Sequence, residues 1–131
     1  MAQTRNELTP GEKMPDGTVY AGLSPGTGRP LYTTPADAPH GVTFKTAQEY
    51  AAGLDAHGHK DWRVPTPDEL NVLFENRAAI GAFDVSGSEK AGWYMTSEAS
   101  DETYAWGQRF SDGYRGFDFK DLGASLRCVR G

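Results

Sequence analysis

Two periods of apolar residues divide this chain. Near the N-terminus, Thr18 to Leu23 with Val19 and Tyr20, and Pro30 to Thr34 with Leu31 and Tyr32, read as short strands on either side of Ser24-Pro25-Gly26-Thr27-Gly28. Two such strands around a glycine-rich turn predict a β-hairpin. The glycine pair lacks the spacing and the following helix of a phosphate loop, so turn chemistry explains it. The middle of the chain changes to the helical period. Thr46 and Glu49 have the spacing of a capping box, opening a helix with Ala47, Tyr50, Ala51 and Leu54 on its apolar face and ending near Asp55 to Gly58.

The stretch Asp61 to Leu70, DWRVPTPDEL, organises the rest. Trp62 and Val64, two apart, seat one face of a short extended segment on the core. Thr66 as N-cap, Pro67 at the first helical position and Glu69 three residues after the cap then start a second helix. Leu70, Leu73, Phe74 and Arg77 keep the spacing of one face and carry this helix toward Ala78. From Gly81 onward short aromatic strands alternate with turns: Gly92 to Ser97; Tyr104 to Phe110; Tyr114 to Lys120 after the Asp112-Gly113 turn; and Ser125 to Arg130, with Leu126 and Cys128 on one face and Arg127 and Val129 on the other. The expected class is α+β: a hairpin, two helices and an antiparallel strand meander over residues 14–131, preceded by a polar arm, Met1 to Lys13.

The 131 residues suffice for one domain with its own core. A single cysteine, Cys128, excludes an internal disulfide framework and any multi-cysteine zinc site. The net charge of −5 opposes general attraction to nucleic acid or an anionic membrane. No apolar run reaches the length of a membrane span, and the start lacks the hydrophobic region of a secretory signal, so synthesis in the cytoplasm is expected.

Candidate chemistry is sparse. His57, His59 and Asp61 resemble metal ligands, but histidines two apart converge only on an extended or loop backbone, and complementing the end of the preceding helix explains them better. Cys128, beside Leu126 in a terminal strand, fits an inert core thiol better than a nucleophile. Serine-hydrolase, zinc-protease and nucleotide-binding motifs are absent, and Glu98, Asp101 and Glu102 sit among small polar residues that leave them solvated. Neither an enzyme nor a cofactor is expected. Tyr104, Arg109, Tyr114, Arg115, Phe117, Asp118 and Phe119, spread among Ser, Asp and Gly, have the composition of a recognition surface. Trp106 and Phe110 are assigned to the core. Phe117 and Phe119 fit either place.

The series DWRVPTPDEL, GWYMTSE, AWGQRFSDG and SLRCVR resembles the Legionella collagen-like C-terminal domain family over about residues 14–131. Trp62 to Thr66, Glu69-Leu70, Ala105-Trp106, Phe110, Asp112-Gly113 and Arg127 to Arg130 match its motifs, whereas Met95-Thr96 departs from the usual W-S-S. The resemblance implies a C-type-lectin-like fold. It also implies that the ligand-facing surface lies between the W-S-S-T-like strand and the terminal R-C-V-R, on Glu98 to Tyr104, with Asp101 and Glu102 among them, on Arg109 and on Tyr114 to Phe119. The calcium motifs of sugar-binding C-type lectins are absent, so no metal is implied. The expected function is non-catalytic binding of a host cell-surface glycan or protein by a phage or phage-like virion component. The alternative is structural virion decoration, with the arm contacting other virion proteins and the domain forming a homo-oligomer, a trimer by analogy with relatives. No nucleic-acid or membrane partner is expected.

Overall fold

Thr66 closes the capping box that the sequence predicts: the Glu69 amide donates to Thr66 Oγ1 at 3.2 Å and the Thr66 amide to Glu69 Oε1 at 3.0 Å. This starts the central helix in a computed structural model that describes residues 8–39, 41–88, 91–99, 101–120 and 123–131, with the backbone alone at 118 and 119. The elements are β1 (Val19–Leu23), β2 (Pro30–Thr33), α1 (Phe44–Gly53), α2 (Pro67–Glu75), α3 (Arg77–Ile80), β3 (Trp93–Ala99), β4 (Tyr104–Arg109), β5 (Arg115–Phe119) and β6 (Val129–Arg130). The class is α+β. Among the described residues the strands form two three-stranded antiparallel sheets, ordered β1-β2-β6 and β3-β4-β5.

Among the described residues three helices stand where two are expected. Helix α2 stops at Glu75 because Asn76 leaves helical geometry and its Nδ2 donates to the Ala21 carbonyl at 3.0 Å, at the bulge in β1. A bulge leaves a carbonyl without its ladder partner, and an asparagine side chain supplies one. The remaining turn, α3, ends at Gly81. Helix α1 begins one turn earlier than expected. Its box uses Thr43 and Thr46, whose hydroxyl accepts from the Thr43 amide at 2.8 Å, so Glu49 is not the partner. Ala47 and Ala51 are buried and Tyr50 and Leu54 pack beside them, so the expected face is the observed one.

Of the expected arm, residues 1–7 lie outside the described residues. Gly11 donates to the Tyr20 carbonyl at 2.8 Å and Tyr20 to Glu12 at 2.9 Å, which sets the following residues along β1. The last strand is shorter than expected. Only Val129 and Arg130 join a ladder, while Ala124 and Ser125 make single bridges to Val42 and Tyr94. Its alternation nevertheless holds: Leu126 and Cys128 enter one apolar cluster with Trp62, Val64, Met95 and Ala105, while Val129 enters the other with Leu31, Leu70, Leu73, Tyr94 and Phe110.

Arg127 lies between these clusters with none of its side chain exposed. It donates to Asp37 at 2.9 Å and to the carbonyls of Thr34, Gly81 and Ala82, and its guanidinium lies 3.9 Å from the Phe83 ring centre. Tyr94 donates to the second Asp37 oxygen at 2.5 Å. Burial raises the Asp37 carboxyl despite these two partners, and burial lowers Arg127. One buried cation therefore ties β3, the loop after β2 and the end of α3 to the C-terminal segment.

Candidate ligand-binding surface

The β3-β4-β5 sheet has its two faces covered at opposite ends. Its register pairs Trp93 with Arg109, Gly107 with Gly116 and Trp106 with Phe117, so Trp93, Met95, Ala105, Gly107, Arg109 and Gly116 share one face, while Tyr94, Tyr104, Trp106, Gln108, Arg115 and Phe117 share the other. On the first face Met95 and Ala105 are core, leaving Trp93 and Arg109 toward the β4–β5 turn. On the second face Tyr94 and Gln108 are buried, with Gln108 bonded to Asn71 of α2 at 2.8 Å. Tyr104, Trp106 and Phe117 are left toward the β3–β4 loop. Each face thus presents an aromatic patch, and the patches lie diagonally across the sheet.

The first patch is built on missing side chains. A Cβ at Gly116 would lie 3.6 Å from the Trp93 ring and 3.1 Å from the Tyr114 ring, and one at Gly107 would lie 3.7 Å from Trp93. Glycine inside a strand marks such a close approach. Tyr114, 60% exposed, meets Trp93 edge to face at 6.0 Å. Arg109 reaches over both rings, at 5.7 and 5.4 Å, and makes two hydrogen bonds to Asp112, at 3.0 and 2.6 Å. The guanidinium holds the Asp112 carboxyl down at about 2, and that carboxylate in turn raises Arg109. The turn that carries Tyr114 depends on Gly113 at φ +84°, where a Cβ would strike the Phe74 ring at 2.6 Å.

In the second patch Phe117, 55% exposed, meets Tyr104 at 5.4 Å and Trp106 at 5.2 Å, with ring planes inclined by 66° and 79°. Arg115, beside it on β5, pairs with Asp68 at the start of α2 at 3.4 Å. In the β3–β4 loop Asp101 Oδ1 accepts from the amides of Thr103 and Tyr104 at 2.7 and 2.9 Å, so this carboxylate shapes the turn. Glu98 and Glu102 are exposed. Asp118 and Phe119 occupy the β5 positions opposite Ala105 and Tyr104, and their side chains lie outside the described residues.

The residues expected to form one surface are therefore divided. Arg109 and Tyr114 belong to one side of the sheet; Tyr104, Arg115 and Phe117 belong to the other. Two contributors were missed: Trp93, assigned no role, and Trp106, assigned to the core but half-buried in the second patch. Phe110 is core, as expected. The signal for Trp93 was available in Gly107 and Gly116, which leave room for a large ring.

The other candidates have different partners. His59 Nε2 contacts Asp16 Oδ2 at 2.7 Å and His57 Nδ1 the Asp16 carbonyl at 3.2 Å, so the histidines hold the turn before β1 and do not complement the end of α1. Asp61 accepts two hydrogen bonds from Arg130, at 2.7 and 3.1 Å. Among the described residues no group of three or more His, Cys, Asp or Glu could hold a metal ion. Cys128 borders a cavity of about 190 Å³ with Asp37, Tyr50 and Leu54, and burial pushes its thiol up to about 12. At neutral pH it is a thiol, a poor nucleophile.

The model of the Lcl C-terminal domain family matches residues 24–130, most of the chain. The chain belongs to the Lcl C-terminal domain family. No curated protein matches it. In this Lcl C-terminal domain the residues that carry the resemblance mostly build the scaffold: Trp62 is core, Arg63 makes two hydrogen bonds to Glu69 at 2.5 and 2.8 Å, and Arg127 is the buried hub. The exposed aromatic residues Tyr114 and Phe117 lie between these supports in the sequence.

Proposed function

We propose that this Lcl C-terminal domain is a non-catalytic binding module of C-type-lectin-like architecture, displayed by a phage or phage-like particle toward a host cell-surface glycan or protein. The N-terminal hairpin and the C-terminal strand sharing one sheet, with the second sheet formed by the chain between them, support the architecture. One observation carries the binding role: Tyr114 and Phe117 are more than half exposed, yet each is fixed by contacts with neighbouring rings on paired strands. Aromatic groups kept rigid in solvent offer contact area at low entropic cost, and recognition surfaces use them for that reason.

Capture on an array of host-surface glycans, followed by pull-down from host envelopes, tests the reading with the Arg109→Ala, Tyr114→Ala double variant and with Phe117→Leu. Loss of capture by either variant, with the fold intact, supports it. Unchanged capture by both removes the two patches from the function. The alternative role, structural decoration through an oligomer, draws on β5 as the sheet's terminal strand with Phe117 outward. It predicts an oligomeric mass in solution that falls to the monomer on Phe117→Lys.

A further inference from the structure

We propose that the face carrying Glu98, Tyr104, Trp106 and Phe117 is a site for a compact organic cation of the trimethylammonium class. The inference rests on the binding reading above and narrows it to one patch and one ligand chemistry.

Ring geometry carries the first step. Parallel rings make a platform for a flat ligand; the rings here meet at 66° and 79° and form a corner instead. A corner of aromatic rings suits a rounded group, and the electron-rich ring faces attract positive charge.

Charge carries the second. Met95 pairs with Gly107 and Ala99 with Ala105, so the register slips between them and Thr96, Ser97 and Glu98 together stand against Trp106, which pairs with Phe117. The Thr96 hydroxyl holds this irregular stretch, lying 2.7 Å from the Trp106 carbonyl and 3.4 Å from that of Glu98. Ala99, paired with Ala105, takes the side of that buried residue, and its neighbour Glu98, exposed, is assigned to the side of the aromatic corner. Glu98 is exposed and makes no ion pair among the described residues, so its charge remains available to a ligand. The neighbouring cation, Arg115, is paired with Asp68, and the chain's net charge of −5 favours approach of a cation. The patch on the opposite face differs, because Arg109 lies over its rings and would repel the same ligand.

Titrating the full chain with choline, followed by tryptophan fluorescence and by NMR shifts of the Trp106 indole, tests the site. Saturable binding in the millimolar range is expected, as for a few exposed cation–π contacts. Binding should be at least about tenfold tighter than that of the neutral isostere 3,3-dimethylbutan-1-ol, because only the charge differs. Glu98→Gln, an exposed substitution that leaves the rings in place, should weaken choline by about fivefold. Phe117→Leu should abolish saturation while retaining the melting transition. Parallel titrations with phosphocholine and Nε-trimethyllysine identify the carrier, a phosphate-linked headgroup or an alkylated lysine, by which one binds more tightly than choline. Equal binding of the isostere, or no saturation by any of the three cations, overturns the proposal. If that happens while Phe117→Leu still abolishes capture on the host array, the cation inference falls and the binding module stands. If the host capture survives every patch variant, the binding reading itself falls.

Discussion

Replacing Glu69 with glutamine should remove a specific part of the domain's acid sensitivity. The Glu69 side chain is buried (the residue is 2% exposed) and its carboxylate accepts from Arg63 twice, from Ser24 at 2.7 Å and from the Thr66 amide, so one side chain joins the helix cap, the extended segment before it and the turn between β1 and β2. Burial alone would raise its carboxyl, but the hydrogen bonds from Arg63, Ser24 and Thr66 outweigh burial and hold it at about 2, against 4.5 for an ordinary glutamate. A depressed carboxyl contributes stability that is complete above 4.5 and is lost as the pH falls toward about 2. At about 1.4 kcal/mol per pH unit the interval amounts to about 3 kcal/mol, of which about 2 kcal/mol is gone by pH 3. The Arg63 side chain is 36% exposed, so solvent screening reduces the realised total to about 2 to 3 kcal/mol. Urea unfolding at pH 7, 5, 4 and 3, followed by tryptophan fluorescence, measures it. The gap between wild type and Glu69→Gln should be widest at pH 7 and close by most of its value at pH 3. A gap that stays constant across this range would refute the argument, because a neutral hydrogen-bond network would then explain the stability equally well.

Arg127→Met should cost about 3 to 5 kcal/mol in the same unfolding assay, since it removes the cation beside half-buried Asp37, which keeps Tyr94 as its donor, and the donor to three carbonyls. A loss below about 1 kcal/mol would show that the hub is dispensable. Gly113→Ala should lower the melting temperature by several degrees, because the turn requires φ +84° and the added methyl meets the Phe74 ring. An unchanged melting point counts against the turn geometry. Cys128 should resist alkylation at pH 8 in the native domain and react on unfolding, as burial keeps it a thiol. Rapid native labelling would contradict this.

The elements legible in the sequence are those whose determinants lie within a few residues. The α2 cap needed only Thr66, Pro67 and Glu69, and the β1–β2 hairpin needed its glycine turn. The break after Glu75 depends on Asn76 reaching Ala21, 55 positions away in sequence, and no local pattern announces it. The earlier start of α1 was within reach, because Thr43 and Thr46 repeat the capping spacing, but Glu49 offered a competing box. Period-two alternation placed Leu126 and Cys128 against Arg127 and Val129 correctly. It could not reveal that both sides are covered, since the Arg127 partner, Asp37, lies 90 positions away. For the same reason Trp106 and Phe110 looked equivalent in sequence. They share a side of β4 and of its continuation, but packing covers one end of that side and leaves the other open.

The diagonal cover of the second sheet gives β4 two duties at alternate positions. A point substitution at Arg109 alters one aromatic patch, and one at Trp106 alters the other, so each can vary without disturbing its counterpart. Insertion of a single residue within β4 would do the reverse. It would turn Trp106 toward the core and bring a buried neighbour to the surface, exchanging the outfacing and infacing sets in one step. Diversity at this surface is therefore open to residue replacement and closed to changes in strand length.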